Sequence, residues 1–396
     1  MLWVLIFSMA TGGVTLQVQI YLIFCIVLGL FVTSVTLARL SRVKLELLTD
    51  LPSHSTSGAS VTITTRVRNR SRHGGLDVVL REIRVPHHVE ERPLGGQRIP
   101  WLPTGEAATV TRTLSFTRRG AYTLPGLRQE GLFPFGLWKD VVDHRTPHTV
   151  LVYPRFHPLV SLDIPAGVRY QPGGIALTSQ LGDSIEFIGT REYREGDSPR
   201  SIHHKTWARI GRPAVKEFQA EYFCRIALLM DTFTPEPPPP RPFRRRPDPP
   251  WHRAFEAAVS VAASVADALS REEYVIDIFA AGPELYHLQS GRSLAYLENV
   301  LDILACIEPC HEAPFEKIAP VLLEHLESVT TTVVVMLDWD EARERVVQTV
   351  LDHGSAVKLI IVRDGPTTLD IARAHALCGE VRVITSDEEA AGLESL

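Results

Sequence analysis

The chain has 396 residues, with 41 Lys and Arg against 46 Asp and Glu, a formal net charge of −5, and 45% hydrophobic residues. That length suits two or three domains with sizeable cores, and the near balance of charge lacks the basic footprint of a nucleic-acid-binding protein. Five cysteines, Cys25, Cys224, Cys306, Cys310 and Cys378, are too few and too irregularly placed for a secreted disulfide framework.

The first element is apolar. IYLIFCIVLGLFVTSVTL fills positions 20–37 without a charge, and at ~1.5 Å per residue such a helix reaches roughly 27 Å, close to a hydrocarbon core. It reads as a transmembrane helix. Arg39, Arg42 and Lys44 follow at once, which by the positive-inside rule keeps the remaining chain in the cytoplasm and the protein in the cell (inner) membrane. A signal peptide would need a basic start and a small-residue cleavage site, and neither is seen. MLWVLIFSMAT at 1–11 is also apolar but short, and ends at Gly12 and Gly13. It is either the second arm of a hairpin within 1–40 or an interfacial segment.

From 41 to 157 the period is two. Val61, Ile63, Thr65 and Val67 alternate in VTITTRV, and Val110, Arg112, Leu114 and Phe116 alternate imperfectly in TVTRTLSF. Turn signals recur between the runs (TSGAS, SRHGG, LPTGE, RRGAY), so an antiparallel β-sandwich-like domain is expected. From 223 to 396 strands and helices alternate. IALLM, YVIDIFA, TTVVVML, AVKLIIV and EVRVIT read as strands. RAFEAAVSVAASVADAL reads as a helix with Phe255, Val259, Ala262, Val265 and Leu269 on one stripe; LAYLENVLDILACI, KIAPVLLEHLESV and DEARERVVQTVLDHG are further helices. This rhythm implies an α/β domain with a mainly parallel sheet covered on both faces. A Pro/Arg-rich insertion, 235–250, interrupts it and fits neither helix nor central strand.

Ligands of open α/β sheets bind beyond the carboxyl ends of the strands. Asp231, Asp338 and Asp364 stand there, with Thr232 and Thr234 beside the first. Such oxygens suit Mg²⁺ or Ca²⁺. The plainer reading is helix capping, which Asp338 or Asp340 before EARER would satisfy. Cys306 and Cys310, four apart, are expected on one helix face as core residues. No nucleophile elbow, His-Glu-x-x-His, phosphate loop or dinucleotide fingerprint occurs, so no cofactor is expected.

The segment joining the two regions, 158–222, contains GTREYREGDSPRSIHHKTWARIGRPAVKEF at 189–218. Gly196 and Asp197 suit a turn, Ser198 an N-cap and Pro199 the first helical position. A short helix is expected to run to Arg209 with Gly211 beyond it, Ile202 and Trp207 inward, Arg200 and Lys205 outward, and a strand PAVKEFQ after it. The run Arg191, Glu192, Tyr193, Gly196, Asp197, Arg200, Ile202, His203, Ala208, Arg209, Lys216, Phe218 resembles the signature of the bacterial domain-of-unknown-function family fifty-eight. His204 stands where that family usually has Trp. Upstream, RRGAYTLPGLRQEGLFPFGLW resembles a second family segment, with Phe133 to Leu137 in place of Asp-Pro-Phe-Gly-Leu. The likeness extends over nearly the whole chain, the amino-terminal hairpin included.

The resemblance implies a membrane-anchored β-rich segment followed by a Rossmann-like von Willebrand factor A-like domain, and a MoxR-type AAA+ ATPase as partner. A metal-dependent adhesion site would begin Asp-x-Ser-x-Ser after the first strand; those places hold Asp231, Phe233 and Pro235, so only the aspartate remains. The expected function is that of a non-enzymatic adaptor or scaffold, with Arg191, Tyr193, Gly196, Asp197, Arg200, His203 and Arg209 as docking or structural residues. The alternative is a metal-dependent hydrolase using Asp231, Asp338 and Asp364. A third possibility is contact with acidic lipid through the arginines of 235–250.

Overall fold

The computed structural model describes residues 18–165, 187–194, 197–218, 225–236, 252–272, 274–281, 285–288, 295–311, 315, 323–326 and 329–396. The amino-terminal arm 1–11, Gly196 and most of the 235–250 insertion lie outside them. Two compact units emerge: one takes in Met1–Phe156 and Glu298–Ile307, the other His157–Leu297 and Glu308–Leu396, in each case the described residues among them.

The first unit opens with helix α1, Val18–Leu40, whose span Tyr21–Leu40 is long and apolar enough to cross a membrane. From Tyr21 on, its side chains are mostly exposed. Its carboxyl end is fixed to the β unit: Phe31 meets Trp138 edge-on at 6.2 Å, and the Arg42 fork donates to both oxygens of Asp140 at 2.5 and 2.6 Å. The strands that follow are β1 (Leu45–Asp50), β2 (His54–Thr56), β3 (Ser60–Asn69), β4 (Gly75–Glu82), β5 (Val89–Arg92), β6 (Gln97–Leu102), β7 (Ala107–Phe116), β8 (Gly120–Leu124), β9 (Leu127–Gly131), β10 (Asp140–His144) and β11 (His148–Tyr153). They form two antiparallel sheets, ordered β1-β3-β7-β5 and β10-β9-β4-β6, and a small third sheet, β2-β11-β8, with one parallel pair. Val43, Leu45, Val67 and Val110 of the first sheet and its lead-in share a buried cluster with Val78, Leu80, Ile99 and Leu102 of the second. Apolar alternation thus turns one face of each sheet toward the other.

The imperfection in TVTRTLSF has a physical account. Arg112 points inward with Val110, Leu114 and Phe116 and is 1% exposed. One Nη donates to Glu82 at 2.7 Å and to Glu91 at 3.0 Å, so the position is a buried ion triad. Burial pushes the Glu82 carboxyl above its ordinary pKa, against the pull of Arg112.

The second unit contains a pair of antiparallel strands, β12 (Phe187–Glu192) and β13 (Ala214–Phe218), and between them helix α2 (His204–Ile210). Its main sheet is built from β14 (Arg225–Met230), β15 (Val275–Ala281), β16 (Leu285–Leu288), β17 (Thr331–Met336), β18 (Ala356–Val362) and β19 (Val381–Ile384). Its spatial order is β16-β15-β14-β17-β18-β19, parallel throughout except at the β16 edge. Its helices include α3 (His252–Arg271), α5 (Glu341–Asp352), α6 (Ile371–Cys378) and α7 (Ser386–Ala391), while α4 (Ala295–Cys306) belongs from Glu298 on to the first unit. The runs LLM, VVVM and LIIV are buried from end to end, as strands covered on both faces must be. The helical stripe Phe255, Val259, Ala262, Val265 and Leu269 is completely buried. Cys306 and Cys310 do not share a helix: α4 ends at Cys306, and Cys310 bridges to Phe233.

Candidate functional site

Strand order reverses between β14 and β17, so the crevice where such sheets hold ligands lies at the carboxyl ends of those two strands. Asp231 follows β14 directly. Its N–H donates to Val335 O at 2.8 Å, which keeps its side chain against β17. The carboxylate then ties three segments together. Oδ1 accepts the Phe233 N–H at 2.9 Å; Oδ2 accepts the Leu337 N–H at 2.9 Å and the Arg343 Nε–H at 2.7 Å.

Arg343 is the residue that sequence reasoning missed. It sits in the first turn of α5, whose N-cap Asp340 accepts the Arg343 N–H at 2.9 Å. Nη1 pairs with the other Asp340 oxygen, and Nη2 donates to Phe233 O at 3.2 Å. The rings of Phe233 and Phe315 lie 5.5 and 5.4 Å from the guanidinium carbon. The Arg343 side chain is 3% exposed, and that of Asp231 is fully buried. Burial opposes the charge on Arg343, but the field of and hydrogen bond to Asp231, with Asp340 and Asp338, outweigh it and raise its pKa. A signal existed: a helix's first turn repels cations, so an arginine there calls for an acidic partner from another element.

The remaining acids of the rim are also engaged. Asp338 accepts the Thr368 hydroxyl at 2.6 Å, the Thr368 N–H at 2.9 Å and the Trp339 N–H at 2.8 Å, and it pairs with Arg363. Burial alone would raise its pKa; these donors and Arg363 together hold it below the usual carboxylate value. Asp364 accepts the N–H and hydroxyl of Ser386 at 2.7 and 2.8 Å. Thr234 hydrogen-bonds His311, while the buried Thr232 hydroxyl has no partner among the described residues. The rim holds a cavity of about 420 Å³, lined among others by Phe233, Leu337, Ala254, Asp340, Arg363 and Asp364.

A divalent ion would need free carboxylate oxygens converging on one point. Asp231 instead turns one oxygen to a guanidinium and both to backbone donors, and Asp338 is shared between Thr368 and Arg363. As they stand, these residues do not fit such an ion. Among the described residues no group of three or more His, Cys, Asp or Glu is arranged to hold a metal.

The signature segment is a second cluster. The Arg191 fork donates to both oxygens of Asp197 at 2.7 Å, and Asp197 also accepts the Arg194 N–H at 2.8 Å. Those contacts, Arg191 first, hold the Asp197 carboxyl down to about 2. Tyr193 N–H donates to Pro213 O at 3.0 Å, and His203 N–H to Ala214 O at 2.8 Å; His203 Nδ1 lies 2.6 Å from the Thr206 hydroxyl. The expected single helix is split. Ser198 caps a 3₁₀ turn, Pro199–Ser201, and α2 begins only at His204. Trp207 does not face inward: it is 40% exposed. None of the seven α2 residues is buried. Arg200 and Arg209 extend into solvent.

Comparison with protein-family models gives no match, and comparison with curated proteins gives none. Among solved structures, the chain is similar to the CARDB domain of a Pyrococcus furiosus protein over 28% of this chain and 94% of that one, at 15% identity and a TM-score of 0.20. It is similar to AvmM, which catalyses macrocyclization in alchivemycin A biosynthesis, over 29% and 92%, at 12% identity and a TM-score of 0.20. A β-glucosidase from Listeria innocua matches over 28% and 16%, at 18% identity and a TM-score of 0.16. Likenesses this slight carry no argument about function.

Proposed function

We propose that the chain is a non-enzymatic, membrane-anchored adaptor or scaffold of the domain-of-unknown-function family fifty-eight. In this reading α1 anchors it in the cell membrane and its soluble units lie in the cytoplasm. The second unit is a von Willebrand factor A-like domain, and it works with a MoxR-type AAA+ ATPase in complex assembly or cell-envelope processes. The observation that carries the reading is the Asp231–Arg343 pair. At the crevice where an α/β enzyme would present reactive groups, this chain presents Asp231, Asp338 and Asp340 matched internally by Arg343 and Arg363, and a partly apolar cavity. Such a rim offers shape and a fixed charge pattern, which serve recognition rather than bond making. Support also comes from the strand order and from the apolar helix. A hydrolase using Asp231, Asp338 and Asp364 would need those carboxylates free of their present donors, and no observation favours it.

The test is affinity purification of the tagged full-length chain from its own membranes, followed by mass spectrometry. A MoxR-type AAA+ ATPase should be retained, and retention should weaken in a variant that fills the cavity, Ala254→Trp. Recovery of the chain without that ATPase under mild solubilisation would overturn the partner.

A further inference from the structure

The segment between β12 and β13 combines exposed cations with exposed apolar side chains. From 198 to 216 the sequence holds Arg200, Lys205, Arg209, Arg212 and Lys216 and no Asp or Glu, although the whole chain carries a net charge of −5. Over the same stretch, apolar side chains point outward: Trp207 is 40% and Ile210 54% exposed, with the His204 ring stacked on Trp207 at 6.3 Å.

A seven-residue helix is marginal in water by itself. This one is held by its ends. His203 N–H bonds Ala214 O, Gly211 closes the helix in the left-handed region at φ 68, and the Arg191–Asp197 fork braces the preceding turn. The backbone is thus fixed while no residue of the helix is buried. Exposed Trp207 and Ile210 interleaved with Arg200, Lys205 and Arg209, with Arg212 paired to Glu192 at 3.1 Å at the edge, form the pattern that settles at the boundary of lipid headgroups and acyl chains.

We infer that the Pro199–Arg212 surface docks on an anionic lipid surface. The inference rests on the membrane-anchoring part of the proposed function, since a chain carrying a spanning helix keeps its other surfaces within reach of a bilayer. Arg200, Lys205 and Arg209 supply the attraction to acidic headgroups; three such residues raise affinity on the order of 10²-fold. Trp207 and Ile210 supply the apolar insertion.

The test uses the full chain in nanodiscs of phosphatidylcholine alone or with phosphatidylglycerol, read by hydrogen–deuterium exchange. Amides of Trp207–Arg212 should exchange about tenfold more slowly in the anionic discs. The protection should vanish in Lys205→Glu/Arg209→Glu, with exchange elsewhere unchanged. Equal exchange in both lipids, protection that persists in the double variant, or protection seen only after adding a soluble acidic protein overturns the lipid contact while leaving the anchor intact. Failure of the chain to remain with the discs overturns the anchoring, and this contact with it.

Discussion

Arg343→Met tests the rim directly. The substitution removes the guanidinium from a site where Asp231 is fully buried and keeps only the Phe233 and Leu337 N–H groups as its donors. Stranding one member of a desolvated ion pair costs about 3–5 kcal/mol. The methionine retains much of the packing against Phe233 and Phe315, so most of the loss comes from charge. Adding Asp231→Asn removes that charge and preserves one acceptor. The double variant is therefore expected to regain about 1–3 kcal/mol over Arg343→Met alone. Denaturant unfolding of the detergent-solubilised chain measures both, followed by fluorescence in a background that keeps only the buried Trp339 beside the site. A loss under about 1 kcal/mol for the single variant, or a double variant weaker than the single, would refute the view that Arg343 is the counter-charge of Asp231.

Two further expectations concern titrating groups. Glu82 has its folded pKa raised above the unfolded value near ~4.3, so its favourable contribution is complete below that value and is lost as pH rises through the folded pKa. Glu82→Gln cannot ionise, so its melting temperature relative to wild type should improve between pH 4 and pH 7; a pH-independent difference contradicts the assignment. Asp197 is shifted the other way, to about 2, so its pairing with Arg191 is intact above the unfolded value near ~3.9 and fails only as pH falls through about 2. At neutral pH, Asp197→Ala should quicken tryptic cleavage after Arg194 without moving the global melting temperature, because the pair braces an exposed turn. Unchanged cleavage would show that the turn does not depend on it.

The elements that were legible in the sequence are those whose burial is uniform or periodic. IALLM, TTVVVM and AVKLIIV announce central parallel strands because all their side chains but the half-buried Ala356 are covered. The apolar helix α1 is legible because its uncharged apolar run is long enough to cross a hydrocarbon core. Other elements are too short to carry a period, such as LYHL in β16. Some were marked only by local chemistry: α7 begins with a capping box, Thr385 with Glu388, in a stretch too polar to suggest a packed helix. The site was half visible. Asp231 and Asp338 stand out as strand-end acids, and Asp340 as a cap. Arg343 hides in EARER, where it looks like one charge of a solvated helix; only tertiary structure brings it beside an acid 112 positions away in sequence. Arg112 is concealed in the same way, since its two glutamates come from β4 and β5. Trp207 misleads in the opposite direction, an aromatic that hydrophobicity assigns to the core and a seven-residue helix leaves outside.

Arg343 serves as the counter-charge of Asp231 at this rim. Calorimetric titration of the full-length chain with magnesium chloride tests it most directly. The wild-type protein should give no saturable heat at millimolar Mg²⁺, because the carboxylates that would bind the ion already hold guanidinium and backbone donors. Saturable binding at one site, abolished by Asp231→Ala, would contradict the account.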